Sequence, residues 1–111
     1  MLVSEIVKEL NLKVIGGESG LNREVTGGYT SDLLSDVMGH ADQGLIWITL
    51  QTHKNVLAVA SLKELAAIIL IKNFVPDADM LEEAGLEGIP VLGTEEQAFG
   101  ISGKLYNLLT K

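Results

Sequence analysis

The chain has no cysteine, which excludes disulfides and thiolate metal sites and suits a cytoplasmic protein. Bases are scarce: 8 Lys and Arg against 15 Asp and Glu leave a formal charge of −7. With no basic stripe to neutralise phosphates, nucleic-acid binding is not expected. No apolar run approaches the roughly 20 residues of a membrane-spanning helix. The longest run, around Ala66–Ile71, has the length of a strand, so no membrane partner is expected. Met1–Leu10 carries a charge every few positions and reads as a helix rather than a signal peptide.

Catalytic motifs are absent too. There is no Gly-x-Ser-x-Gly elbow, no His-Glu-x-x-His metal motif and no Gly-x-Gly-x-x-Gly fingerprint. Gly103-Lys104 is the only Gly-Lys pair. Ala98 stands where a phosphate-binding loop needs its first glycine, and Leu105 where the metal-binding hydroxyl belongs. What is present is apolar bulk: 47% hydrophobic residues in 111, with a mean hydropathy of +0.30. A chain of this size buries roughly two-thirds of its unfolded surface, enough for one domain over residues 1–111 without staples. The excess implies a generous core or an apolar face that meets another chain.

Leu2, Ile6, Val7 and Leu10 form a helix stripe. Lys13–Gly16 and Glu24–Thr26 read as short strands joined across a glycine-rich link, hence a hairpin or tight return. From Gly27 onward strands and helices alternate: a helix over Ser31–Met38, strand Leu45–Leu50, helix Lys54–Leu65, strand Ala67–Ile71. Pro76-Asp77 opens the next helix, Gly88-Ile89-Pro90 ends it, and Ile89–Leu92 is a last strand. Thr94 and Gln97 have capping-box spacing before a final helix, whose Gly100 and Gly103 leave a thin flank for close packing. The pattern predicts a three-layer α/β/α fold, with a mostly parallel sheet of about five strands.

Ligands of open α/β sheets bind outside the carboxyl ends of the strands. Those ends hold Gly27, Gly28, Tyr29, Thr30 and Ser31, then Thr52, His53 and Lys54, then Lys72 to Phe74, then Gly93 and Thr94. A nest of backbone N–H groups over Gly27–Ser31, aided by Thr52, His53 and Lys54, would hold a small anion. Ordinary helix capping accounts equally for Ser31, Thr52 and Thr94. His40, Asp36 and Asp32 lie along one helix, but such a row is usually a solvated face, and no metal or cofactor is expected. Val56–Ala60 is apolar all round and suggests a homodimer contact, with enclosure inside the chain as the alternative. Trp47, the only tryptophan, is expected in the core.

The run Val25–Met38, the strand Leu45–Leu50 leading into Gln51-Thr52-His53, Pro76-Asp77, Gly88-Ile89-Pro90 and Thr94 together resemble the DRTGG domain. That domain is similar to the N-terminal domain of HPr kinase/phosphorylase. It occurs alone or attached to phosphotransacetylases, CBS-domain pyrophosphatases and other regulatory proteins. The Asp-Arg-Thr-Gly-Gly string itself is not present; Thr26-Gly27-Gly28 is its nearest relic. The resemblance implies a three-layer α/β/α domain without catalysis of its own, since the HPr kinase active site belongs to a separate P-loop domain.

Two functions follow. One is a non-catalytic regulatory domain that binds a small anionic metabolite or nucleotide and acts through a partner enzyme or regulatory protein. The other is an assembly module whose work is dimerisation. On either reading pure protein should show no phosphotransferase activity. ATP hydrolysis or protein phosphorylation above background in homogeneous material would overturn that expectation.

Overall fold

The computed structural model describes all residues, Met1–Lys111. Five strands form one sheet: β1 (Lys13–Gly16), β2 (Gly27–Thr30), β3 (Leu45–Thr49), β4 (Ala67–Leu70) and β5 (Val91–Gly93). Five α-helices accompany them: α1 (Val3–Glu9), α2 (Leu34–His40), α3 (Lys54–Leu62), α4 (Ala78–Glu87) and α5 (Ala98–Leu109). The strand order is β1-β5-β4-β3-β2. β2 to β5 run parallel, and β1 closes one edge antiparallel to β5. No helix is long and apolar enough to cross a membrane.

The central strands have no polar face. Every residue of β4 is buried, as are Ile46 to Thr49 of β3. Continuous apolar strands of this kind need cover on both sides, and both sides are covered. Trp47, Ile68, Leu70 and Val91 point to one face, where they pack with Val37 of α2, Val56 and Ala60 of α3, and Met80 and Ala84 of α4. Ile46, Ile48, Ala67, Ile69 and Leu92 point to the other, against Val3 and Ile6 of α1 and Ile101 and Leu105 of α5. The alternation along β3 and β4 thus sorts the core into two layers. Each large side chain so enclosed contributes about 1.5–3 kcal/mol.

The chain advances from β2 to β5 one strand at a time in a single direction. Right-handed crossovers therefore put α2, α3 and α4 on the same face. After β5 the chain changes sides, and α5 crosses the opposite face to lie against β2. The three-layer, mostly parallel architecture expected from the pattern is present.

Several local expectations are corrected. β1 and the segment before β2 do not form a hairpin; they stand at opposite edges of the sheet, linked through a 3-10 turn at Glu18–Gly20. Gly27 and Gly28 are not a turn but the first half of β2, paired with Leu45 and Ile46, and neither has positive φ. Gly28 is small for a different reason: a Cβ there would sit 2.9 Å from Leu105 Cδ2, where α5 crosses the strand. The capping box at Thr94 and Gln97 does not form. Gln97 is itself the N-cap, and Thr94 Oγ1 accepts the Glu96 N–H at 3.2 Å in a tight local turn. Pro76 lies ahead of the Asp77 N-cap rather than in the first turn of α4. The apolar Val56–Ala60 run is enclosed by the chain itself, with only Ala58 exposed, which is the enclosed alternative rather than a contact with a second subunit through that run. Gly100 and Gly103 are exposed and packed against no neighbouring helix.

The connection before β2 is held by Arg23. Its guanidinium donates to the carbonyls of Gly88 at 2.9 Å, Glu87 at 3.3 Å and Leu65 at 3.5 Å. Two of these belong to the end of α4, where carbonyls lack intrahelical partners and a cation is favoured. Gly88 closes that helix in the left-handed conformation, φ 63°, as its position after the last turn predicts.

Two glycines should respond with opposite signs. A Cβ on Gly20 would overlap the carbonyl oxygen of Gly88, so Gly20→Ala should destabilise by about 2–3 kcal/mol through overpacking. A Cβ on Gly103 meets nothing, so Gly103→Ala should stabilise by about 0.5–1 kcal/mol through helix propensity. Urea midpoints of the two variants against wild type check both.

Candidate functional site

The carboxyl ends of β2 to β5 lie along one rim of the sheet, and its two halves are built differently. At the β2–β3 half the polar groups satisfy one another. Asp32 Oδ1 accepts from Thr49 Oγ1 and from the Leu50 N–H, both at 2.9 Å. The buried Trp47 indole donates to the Ser31 carbonyl at 2.7 Å, and Gln51 Nε2 to the Asp32 carbonyl at 3.0 Å. Ser31 Oγ accepts the Leu33 N–H at 3.2 Å. These bonds tie the β2–α2 loop to β3. They are not the helix caps expected of Ser31 and Thr52, because the N-caps of α2 and α3 are Leu33 and His53, neither with a side-chain cap bond.

The structure brings three of the predicted site residues, Gly27, Gly28 and Thr30, to one hollow and places the others apart from it. Gly27 and Gly28 lie under α5, in a hollow of about 440 Å³. The Tyr29 hydroxyl reaches Asp36 Oδ2 on α2 at 3.0 Å, while the Thr30 hydroxyl meets Ser102 of α5 at 2.7 Å. The Thr52 carbonyl accepts the Asp77 N–H at 2.8 Å. His53 is the N-cap of α3 without a side-chain cap bond. Lys54 borders a shallow hollow that also contains Glu83 and Glu87, an unfavourable setting for an anion. The helical row separates as well: Asp32 turns to β3, whereas Asp36 faces Tyr29 and His40.

Hydrogen bonds from the Ser31 hydroxyl and the Tyr29 phenol, with the His40 imidazole alongside, hold the Asp36 carboxyl below its ordinary range. Partial desolvation, then the bond and charge of Asp36, raise the Tyr29 phenol.

The β4–β5 half is open. Here the loop after β4 leads to α4 on one face, and the loop after β5 leads to α5 on the other. The two part company and leave a crevice, the position where open α/β sheets bind ligands. Its volume is about 700 Å³. Asn73 and Phe74 line it from the β4 loop, Thr94 and Glu96 from the β5 loop, Lys13 from β1 and Lys104 from α5. Lys104 Nζ pairs with Glu96 Oε2 at 2.9 Å.

The wall from β4 is a tight turn. Lys72 and Asn73 have φ 55° and 58°, and the Phe74 N–H donates back to the Ile71 carbonyl at 3.0 Å. Consecutive left-handed residues usually require Asn-Gly, and each non-glycine residue there costs about 1–2 kcal/mol. Two bonds to the β5 loop hold the turn: Lys72 N–H to the Glu96 carbonyl at 3.0 Å, and Asn73 N–H to the Thr94 carbonyl at 2.9 Å. A third left-handed residue, Asn11 (φ 52°), borders the same crevice.

Among solved structures, the fold matches the CBS and DRTGG domains of the regulatory region of Clostridium perfringens pyrophosphatase, a protein complexed with the activator diadenosine tetraphosphate. The TM-score is 0.72 at 15% sequence identity, over 94% of this chain and 45% of that one. The fold is DRTGG-like. No protein-family model matches this sequence, and no curated protein matches it. The chain spans less than half the length of its structural neighbour.

Within this DRTGG-like fold, the sequence had already pointed to Lys72–Phe74 and Thr94 as strand ends. Lys13, Asn11, Glu96 and Lys104 carried no such signal, because only the order of the strands brings them to the same crevice.

The Asp36 cluster gives a pH prediction. A carboxyl whose folded pKa is lowered stabilises the fold above its unfolded value, and loses that contribution as pH falls through the folded value. Asp36→Asn should therefore lower the urea midpoint at pH 6–7, with the gap to wild type closing in acid. A gap that is constant down to about pH 2, below the ordinary carboxylate range, would refute this.

Proposed function

We propose that this DRTGG-like domain is a non-catalytic regulatory module that binds a small anionic metabolite or nucleotide and acts through a partner protein. The observation that carries this reading is the crevice at the carboxyl edge of the sheet. Its walls are loops tied to each other by backbone hydrogen bonds at Lys72 and Asn73. Loops cross-linked in this way have less freedom to lose on binding, so modest contacts translate into affinity. A similar fold in a regulatory region complexed with an activator nucleotide supports the same direction. The net charge of −7 opposes anions at long range, so affinity should be modest and salt-dependent. Thr30, Ser31, Thr52, His53 and Lys54 remain the alternative rim for the ligand, whereas extended Gly27 and Gly28 provide no nest.

A second reading, assembly through a homodimer, rests on a surface other than the Val56–Ala60 helix. Phe99 and Tyr106 are 94% and 72% exposed on α5, which packs against the edge strand β2. Two exposed aromatics beside an unpaired strand edge suit contact with another chain.

Thermal-shift screening against phosphate, acetyl phosphate and nucleotides, with light scattering on the same samples, separates the readings. Stabilisation by a ligand, without dependence on protein concentration, is the expected result. A dimer with no response to any ligand would favour assembly.

A further inference from the structure

Building on the regulatory-ligand reading, we propose that the β4–β5 crevice is the binding site and that its ligand is a nucleoside phosphate. Size is the first reason. About 700 Å³ falls in the range of roughly 300–1,000 Å³ typical of drug-sized ligands, and inorganic phosphate would leave most of it empty.

Charge is the second reason. Lys13 and Lys104 share the crevice with Glu95 and Glu96. Lys104 is already paired with Glu96, which leaves Lys13 as the cation available to a phosphate. With Glu96 balanced by Lys104, a bare anion would meet Lys13 together with the unpaired Glu95 carboxylate, which opposes it. A nucleoside supplies the complement, because its hydroxyls and ring amine donate to carboxylates while its phosphate meets the lysine.

The third reason is the aromatic surface. Phe74, 40% exposed, stands at the mouth with Lys72 Nζ 6.0 Å from its ring centroid. A flat ring stacks on such a surface, with the ammonium adding a cation–π contribution. Ile15 and Leu10 add apolar wall. The Asn73 amide, on the strained turn, offers both a donor and an acceptor to a ring edge. Ring, donors and phosphate each find a matching group in one crevice.

The experiment is titration of the intact chain with AMP, GMP, UMP, adenosine, acetyl phosphate and inorganic phosphate, followed by amide shifts and calorimetry. A nucleotide should move amides of Asn11–Ile15, Lys72–Val75 and Gly93–Glu96, and adenosine and phosphate should each bind at least tenfold more weakly. Phe74→Ala and Lys13→Ala should each weaken nucleotide binding about tenfold. Phe74→Leu, which keeps apolar bulk but not the ring, should weaken it as well, and Lys63→Ala should leave it unchanged. Melting temperatures of the variants verify that they remain folded. Shifts centred on Ser31–Leu33 and Thr52–Asn55 would overturn the crevice assignment, and phosphate binding as tightly as AMP would overturn the ligand class; either leaves the regulatory reading intact. No response to any nucleotide at millimolar concentration, with stabilisation by acetyl phosphate, would overturn the ligand class alone. No response to any of these ligands would overturn both.

Discussion

The structure depends on one constraint: β3 and β4 are apolar on both faces and must be covered twice. β4 is fully buried, and β3 nearly so. Because β2 to β5 are laid down in order, right-handed crossovers spend α2, α3 and α4 on a single face. Cover for the second face has to come from the ends of the chain, α1 and α5. The change of side after β5 is thus a consequence of burial, and the crevice between the β4 and β5 loops is a consequence of that change.

The same constraint explains why the two halves of the carboxyl rim differ. After β2 and β3 the chain returns to the same face each time, so the adjacent loops lie side by side and bond to each other. Asp32, Thr49, Gln51 and the Trp47 indole are used up in this way. After β4 and β5 the loops diverge. They bond through backbone groups at Lys72 and Asn73 and leave side chains facing open space. Strain in the Lys72–Asn73 turn is offset by those bonds and by the extra support that Glu96 draws from Lys104.

Much of the architecture was legible along the chain. The apolar runs at Leu45–Leu50 and Ala67–Ile71, and the glycine after α4, identify strands and a helix end through local chemistry alone. The misreadings share a cause. Gly27-Gly28 has the composition of a turn, yet tertiary packing overrides it: α5 crosses there, and only a residue without a Cβ lets Leu105 approach. Val56–Ala60, apolar all round, left open in sequence whether a second subunit or the chain itself covers it; in space α2 and α4 flank it. The Thr94–Gln97 spacing fits a capping box, but the chain needs those residues as the loop that turns from one face to the other.

The sequence by itself determined the class of fold, the buried central strands and the lack of known catalytic motifs, because periodicity, composition and turn chemistry are local properties. Only the tertiary structure decided which edge each short strand joins and which rim is open. Pairing β1 with β5 brings Lys13 beside Gly93 and Thr94, and packing α5 across the sheet brings Lys104 to Glu96. These groups lie up to 91 positions apart, from Lys13 to Lys104. Nothing in local chemistry relates residues so far apart until burial of the two sheet faces fixes where the chain must cross.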